Sequence, residues 1–119
     1  MKKLFKSFGY ALKGMFIVLK EQQNMRIHLF AAIVVTVAGI YLGLSAEEWS
    51  ILALTFGFVL TAEMLNSAIE ELVDMISPEV HVQAGKIKDI AAGAVLVAAI
   101  VAAAVGIYIF GNRFFDLLF

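Results

Sequence analysis

The sequence predicts an all-α membrane protein, with an N-terminal amphipathic surface helix followed by three transmembrane helices. Three observations predict it. The 119 residues are 62% hydrophobic and 16% charged, whereas a soluble domain is roughly 45–50% apolar and about 25% charged. Long uncharged runs recur three times along the chain. Lysine and arginine concentrate ahead of the first run, although the net charge is only −1. A chain this short cannot hide so much apolar surface in a water-facing fold, which excludes the soluble-globular and disordered classes. A single proline and the lack of any Ser/Gly-rich stretch leave no linker, so residues 1–119 read as one membrane domain. With no cysteine, disulfides, thiolate metal sites and cysteine nucleophiles are excluded.

In the first stretch, Leu4, Phe5, Phe8, Leu12, Met15, Phe16 and Leu19 recur at helical spacing, with Lys2, Lys3, Lys6, Lys13 and Lys20 between them. That pattern predicts an interfacial helix over 1–24, lying flat among headgroups. Lysines interrupt any apolar h-region, so it does not read as a signal peptide. The uncharged run LFAAIVVTVAGIYLGLS, extended by Ile27 and His28, predicts the first span over 27–45, close to the roughly 20 residues that cross a bilayer core. The second span, 49–73, is uncharged from Trp49 to Ala62 and continues as EMLNSAIEELVD without a helix breaker. The third, 88–111, is apolar throughout most of its length. None of the runs alternates as a barrel strand does.

Positive charge sets the orientation. Lys2, Lys3, Lys6, Lys13, Lys20 and Arg26 precede the first span; the first loop carries Glu47 and Glu48; the second carries Lys86 and Lys88; the tail carries Arg113. The N-terminus and second loop are expected in the cytoplasm, with the first loop and C-terminus outside. Tyr41, Trp49 and Tyr108 sit where interfacial aromatics belong.

The second span carries the chemistry. Glu63, Asn66, Ser67, Glu70 and Asp74 sit at offsets 0, +3, +4, +7 and +11, which places them on one helical face. Glu71 falls off that face. A charge at the bilayer centre costs roughly 2.5–3.5 kcal/mol on insertion scales, so the stripe needs partners: cations, a metal or a polar cavity. If the span ended at Ala62 and the acids were a solvated extension, about 14 apolar residues would remain, too few to cross. Across the second loop, Lys86, Lys88 and Asp89 open the third span. Alone, the lysines would read as topology anchors. Opposite a carboxylate stripe they suit a nucleotide–metal environment, lysine neutralising phosphate and carboxylates holding Mg²⁺ beside phosphate oxygens.

The third span is rich in Ala and Gly, from Ala91 to Gly106, and small residues let helices approach closely. Three helices hardly wall off a polar stripe alone, so a homo-oligomer is expected, with neighbouring chains completing the site. His28 and His81 are 53 positions apart and read as interfacial polar residues rather than metal ligands. Neither a G-x-x-x-x-G-K-[ST] nor a G-x-G-x-x-G loop occurs, and no basic, aromatic-interleaved patch suggests nucleic acid.

The strings EMLNSAIEELVD and PEVHVQAGKIKDIAAGAVL resemble the prokaryotic diacylglycerol kinase family, which includes the undecaprenol kinases of many bacteria. Upstream, GYALKG and NMRIHL also fit, so the resemblance runs from about Phe5 to Ile109. It implies a homotrimeric helical bundle in the bacterial cytoplasmic (inner) membrane. It implies a lipid kinase that moves the γ-phosphate of MgATP to the hydroxyl of a membrane lipid, with sites between subunits. Glu63 matches the catalytic carboxylate, a general base on the lipid hydroxyl. Glu70 matches a metal carboxylate that also meets the nucleotide, and Asn66 and Ser67 fall among the residues that position phosphate and substrate. Lys88 and Asp89 match nucleotide contacts, and Tyr10, Glu79 and His81 match positions near the nucleotide. One position departs. The family's second metal carboxylate lies twelve residues after the tyrosine of GY, where this chain has Gln22; Glu21 is one position early. On a continuous helix Glu21 faces about 100° away; either the helix shifts locally and Glu21 substitutes, or metal binding is weaker, and the weaker binding is expected.

The main rival is a small cation- or proton-coupled transporter, since intramembrane carboxylates also serve export; a third reading is a structural protein with an anionic collar. The lysine cluster beside the acids favours the enzyme. Undecaprenol and diacylglycerol both remain open as the lipid, because apolar discrimination leaves faint marks in a sequence; the outer-loop string LSAEEW resembles the undecaprenol kinases.

Overall fold

The computed structural model describes residues 1–79 and 81–119; Val80 lies outside them. The described chain forms four helices: α1 Lys2–Glu21, α2 Gln23–Leu42, α3 Ala46–Ile76 and α4 Val82–Leu118.

The joints between helices follow from local sequence. α1 stops because Gln22 turns extended (φ −106, ψ 114). Arg26, one turn into α2, reaches back and donates from Nη1 to the Leu19 and Lys20 carbonyls at 3.1 and 2.7 Å. A guanidinium on the last carbonyls of a helix satisfies orphan acceptors and opposes the negative end of its dipole. α2 ends at Gly43, which takes the left-handed conformation (φ 69, ψ 55) that only glycine adopts without penalty. The Gly43 and Leu44 N–H groups both donate to the Gly39 carbonyl. Ser45 then caps α3: its hydroxyl accepts from the Glu48 N–H at 3.2 Å, and Glu48 Oε1 accepts from the Ser45 N–H at 2.9 Å. This reciprocal capping box satisfies two otherwise orphaned donors.

α3 runs 31 residues without a break, about 46 Å, and α4 runs 37 residues, about 55 Å. Both exceed the roughly 30 Å of a hydrocarbon core, so polar ends project beyond it. The two helices are antiparallel. Glu48 pairs with Arg113 at one end (Arg113 Nε donates to Glu48 Oε2 at 3.2 Å), and Asp74 pairs with Lys88 at the other. Near the first end, Leu44, Leu52 and Ile109 form a buried cluster flanked by Val35, Trp49, Phe56, Val105 and Phe110. Towards the second, Val59, Val73, Ala91, Val95 and Ala98 are buried; alanine at 91 and 98 lets α4 lie close to α3. α2 leans on this pair through Gly39. A Cβ there would stand 2.7 Å from Trp49 Cη2 and 2.8 Å from Leu44 Cδ1, so only glycine fits beneath the indole.

Elsewhere the apolar side chains face outward. Phe30 and Ile40 on α2, Leu54 and Phe58 on α3, and Val97 and Ile107 on α4 are all exposed. α2, α3 and α4 are each long and apolar enough to cross a membrane, and surfaces of this kind are stable only against lipid or another helix. α1 buries none of its residues.

Candidate active site

The stripe read from the sequence occupies one face of α3, and packing grades it from dry to wet. Glu63 is 1% exposed, Asn66 and Ser67 are 7% exposed, Glu70 is half-buried, and Asp74 and the off-stripe Glu71 are exposed. The acids nearest the apolar part of α3 are therefore not a solvated extension. Ser67 Oγ donates to the Glu63 carbonyl at 2.9 Å, an ordinary way for a helical serine to spend its hydroxyl. Asn66 Nδ2 donates to Glu70 Oε1 at 3.3 Å. Among the described residues, three buried side-chain oxygens have no hydrogen-bond partner: both carboxylate oxygens of Glu63 and Asn66 Oδ1. Buried polar groups are costly when unpaired, so this face is built for something it does not itself supply.

Two grooves flank these oxygens. One, about 530 Å³, lies between α2, α3 and α4 and is lined by His28, Val35, Phe56, Val59 and Leu60 opposite Ala99, Ala103 and Gly106. It is apolar except at the His28 end. The other, about 460 Å³, lies on the opposite side of the α3–α4 pair, with Asn66 and Thr61 among Phe58, Leu65, Ala91, Ala94 and Val97.

At the end of α3 the chain turns through Ser77 and Pro78, and His81 caps α4, its Nδ1 accepting from the Gln83 N–H at 3.1 Å. A hollow of about 200 Å³ here gathers Asp74, Ser77, Glu79, His81, Gly85 and Lys88. Lys86 and Asp89 line a shallower depression on the other side of His81, with Val82 and Ile90. The structure thus brings Lys88, Glu79 and His81 together and sets Asp89 beside Lys86. Lys88 is spent on Asp74, eleven residues from Glu63, a rise of about 16 Å along the helix.

Residues 9–110 match the family described as Prokaryotic diacylglycerol kinase. The chain belongs to the prokaryotic diacylglycerol kinase family. Curated relatives include the undecaprenol kinase of Bacillus subtilis (strain 168), 38% identical over 110 residues that cover 92% of this chain and 89% of the relative. The diacylglycerol kinase of Synechocystis is 43% identical, over 87% of this chain but only 59% of the longer relative. The diacylglycerol kinase of Escherichia coli (strain K12) is 34% identical over 84% and 82%.

Within this diacylglycerol kinase family member, other positions that the resemblance singles out lie apart from the stripe. Tyr10 is exposed on α1. Glu21 is the exposed last residue of α1, and Gln22 is half-buried in the extended joint before α2. The angular argument that a continuous helix turns Glu21 away from the metal position therefore does not hold at this joint, since the helix breaks at Gln22 itself. Among the described residues no group of three or more His, Asp or Glu is arranged to hold a metal ion. Mg²⁺ needs less than that: one or two carboxylates alongside phosphate oxygens and water. Glu70 and the orphaned Asn66 Oδ1 are hard oxygen donors of the right kind, so the residues present fit a shared rather than a fully protein-built Mg²⁺ site.

Sequence reasoning missed one neighbour. His28, read as an interfacial polar residue, places Nε2 3.7 Å from Glu63 Oε2. Nothing in its spacing from Glu63 betrays this, because the two lie on different helices.

Proposed function

We propose that the protein is an ATP-dependent lipid kinase, transferring the γ-phosphate of MgATP to the hydroxyl of a membrane lipid alcohol, undecaprenol or diacylglycerol. The products are undecaprenyl phosphate or phosphatidic acid. The observation that carries this reading is a fully buried carboxylate, Glu63, with both oxygens unpartnered, one turn from an apolar groove that opens along the lipid-facing helices. A carboxylate so placed has one evident use in a family of lipid kinases: to meet a hydroxyl delivered from the hydrocarbon side.

Phosphoryl transfer asks mainly for positioning and charge neutralisation. In this reading the triphosphate runs along the α3 stripe, its outer end held by Lys88 with Glu79, His81 and Asp89 nearby and Tyr10 closing from α1. Asn66 and Glu70 sit between Lys88 and Glu63, where Mg²⁺ supplies neutralisation of the phosphate charge when bound. Ser67 holds the backbone turn beneath Glu63. Glu63 accepts the proton of the lipid hydroxyl as that oxygen attacks phosphorus, a role typically worth about 10²–10⁴-fold.

Three copies complete the site. The apolar flanks of α2, α3 and α4 and the second groove beside Asn66 favour helix–helix contact within a homotrimer, with active sites between subunits. α1 lies on the cytoplasmic surface, where its lysines meet headgroups, and the Lys88 end faces the cytoplasm of a bacterium, with the C-terminus outside.

The test is purified protein with radiolabelled ATP, offered undecaprenol and diacylglycerol in parallel. Label in one phospholipid product identifies the lipid. Ion flux without label in either would favour the transporter instead.

A further inference from the structure

We propose that His28 is a positioning residue for the acceptor hydroxyl, holding it on Glu63 at the polar end of the apolar groove. The inference rests on the lipid-kinase reading and adds to it a residue on a different helix.

His28 sits in the second turn of α2, with its side chain 22% exposed, while Glu63 faces it from α3 at 1%. Among the described residues it is the only basic side chain within 4.0 Å of that carboxylate; Lys88 is engaged by Asp74. The 3.7 Å between Nε2 and Oε2 is longer than a hydrogen bond, roughly 2.7–3.2 Å. Both Glu63 oxygens are enclosed in this structure, so an oxygen atom stands at hydrogen-bond distance from Nε2 and Oε2 together once the partly exposed His28 ring turns outward into the groove it lines. The groove lined by Val35, Val59 and Leu60 ends at His28. A long apolar chain lying in it therefore delivers its terminal hydroxyl to this gap.

The arrangement divides the hydroxyl's bonds. Its O–H donates to Glu63 Oε2. Its oxygen accepts from the Nε2–H of His28 through one lone pair and keeps the other for phosphorus. As the new O–P bond forms, the bond from phosphorus to the bridging oxygen of ADP breaks, and the proton passes to Glu63. His28 neither gains nor loses a proton. It fixes where the oxygen sits, which is what near-attack geometry requires.

The test uses the full chain in lipid micelles, comparing wild type, His28→Ala and His28→Gln. Emission from Trp49, the one tryptophan, checks that each variant folds. With His28→Ala we expect kcat/KM for the lipid alcohol to fall by about ten-fold or more while KM for MgATP stays within about two-fold. His28→Gln, a neutral donor of similar reach, recovers a substantial part of the loss. The inference is overturned by a lipid kcat/KM within about two-fold of wild type in His28→Ala, by an equal loss on MgATP, or by a glutamine variant no better than alanine. A wild-type chain that transfers no phosphate to either lipid sinks the kinase reading and this inference together; an active wild type with an unaffected variant sinks this inference alone.

Discussion

Asn66 gives its amide N–H to Glu70 and keeps its carbonyl oxygen buried, with no hydrogen-bond partner among the described residues. A side chain held from one end and free at the other is a fixed oxygen donor. Asn66→Ala removes the donor and releases Glu70. We expect an activity loss of about 10–100-fold with a higher Mg²⁺ requirement, the usual scale for removing a group that orients a metal carboxylate. Titrating Mg²⁺ at saturating ATP and lipid measures it. An unchanged Mg²⁺ midpoint would place Asn66 outside the metal environment.

Glu63→Gln keeps the volume and removes the proposed base. Because the burial of Glu63 makes its charge a cost to folding, the variant should insert and be at least as stable as wild type, while kcat falls by about 10²–10⁴-fold. Thermal unfolding and turnover, measured on the same preparation, separate the two effects. Near-wild-type turnover would remove Glu63 from the chemistry.

On the proposed reading Gln22 stands where the family has a second metal carboxylate, and that is testable. Gln22→Glu should lower the Mg²⁺ concentration for half-maximal activity, since a second carboxylate strengthens a site of hard oxygen donors. Glu21→Gln should leave it unchanged. Loss of activity in Glu21→Gln alone would show that the neighbouring carboxylate has taken over, which the break in the helix at Gln22 makes sterically possible.

Gly39 lies under the Trp49 ring with no room for a Cβ. Gly39→Val should destabilise the protein by about 1–3 kcal/mol, the cost of overpacking, visible as a lower unfolding temperature. Pairing it with Trp49→Leu should recover part of the loss. Additive losses in the double variant would mean that the two residues do not share the strain.

Much of this molecule is written locally. A 62% hydrophobic composition determines a membrane class because burial in so short a chain has no other outlet. The 3.6-residue period determines that Glu63, Asn66, Ser67, Glu70 and Asp74 share a face, because that follows from one helix alone. Gly43 and the Ser45–Glu48 box determine where α2 stops and α3 starts. Only the tertiary structure decides which part of the stripe is dry. Glu63 is buried where α2 reaches α3 through His28, and Asp74 is wet near the far end of α3, where α4 meets it through the Lys88 side chain. Only the tertiary structure sets His28 against Glu63 and Lys88 against Asp74 rather than against Glu63. Such pairings depend on how helices from distant parts of the chain seat on one another, at Gly39 beneath Trp49 and along the alanines of α4, and no periodicity within a single helix encodes that.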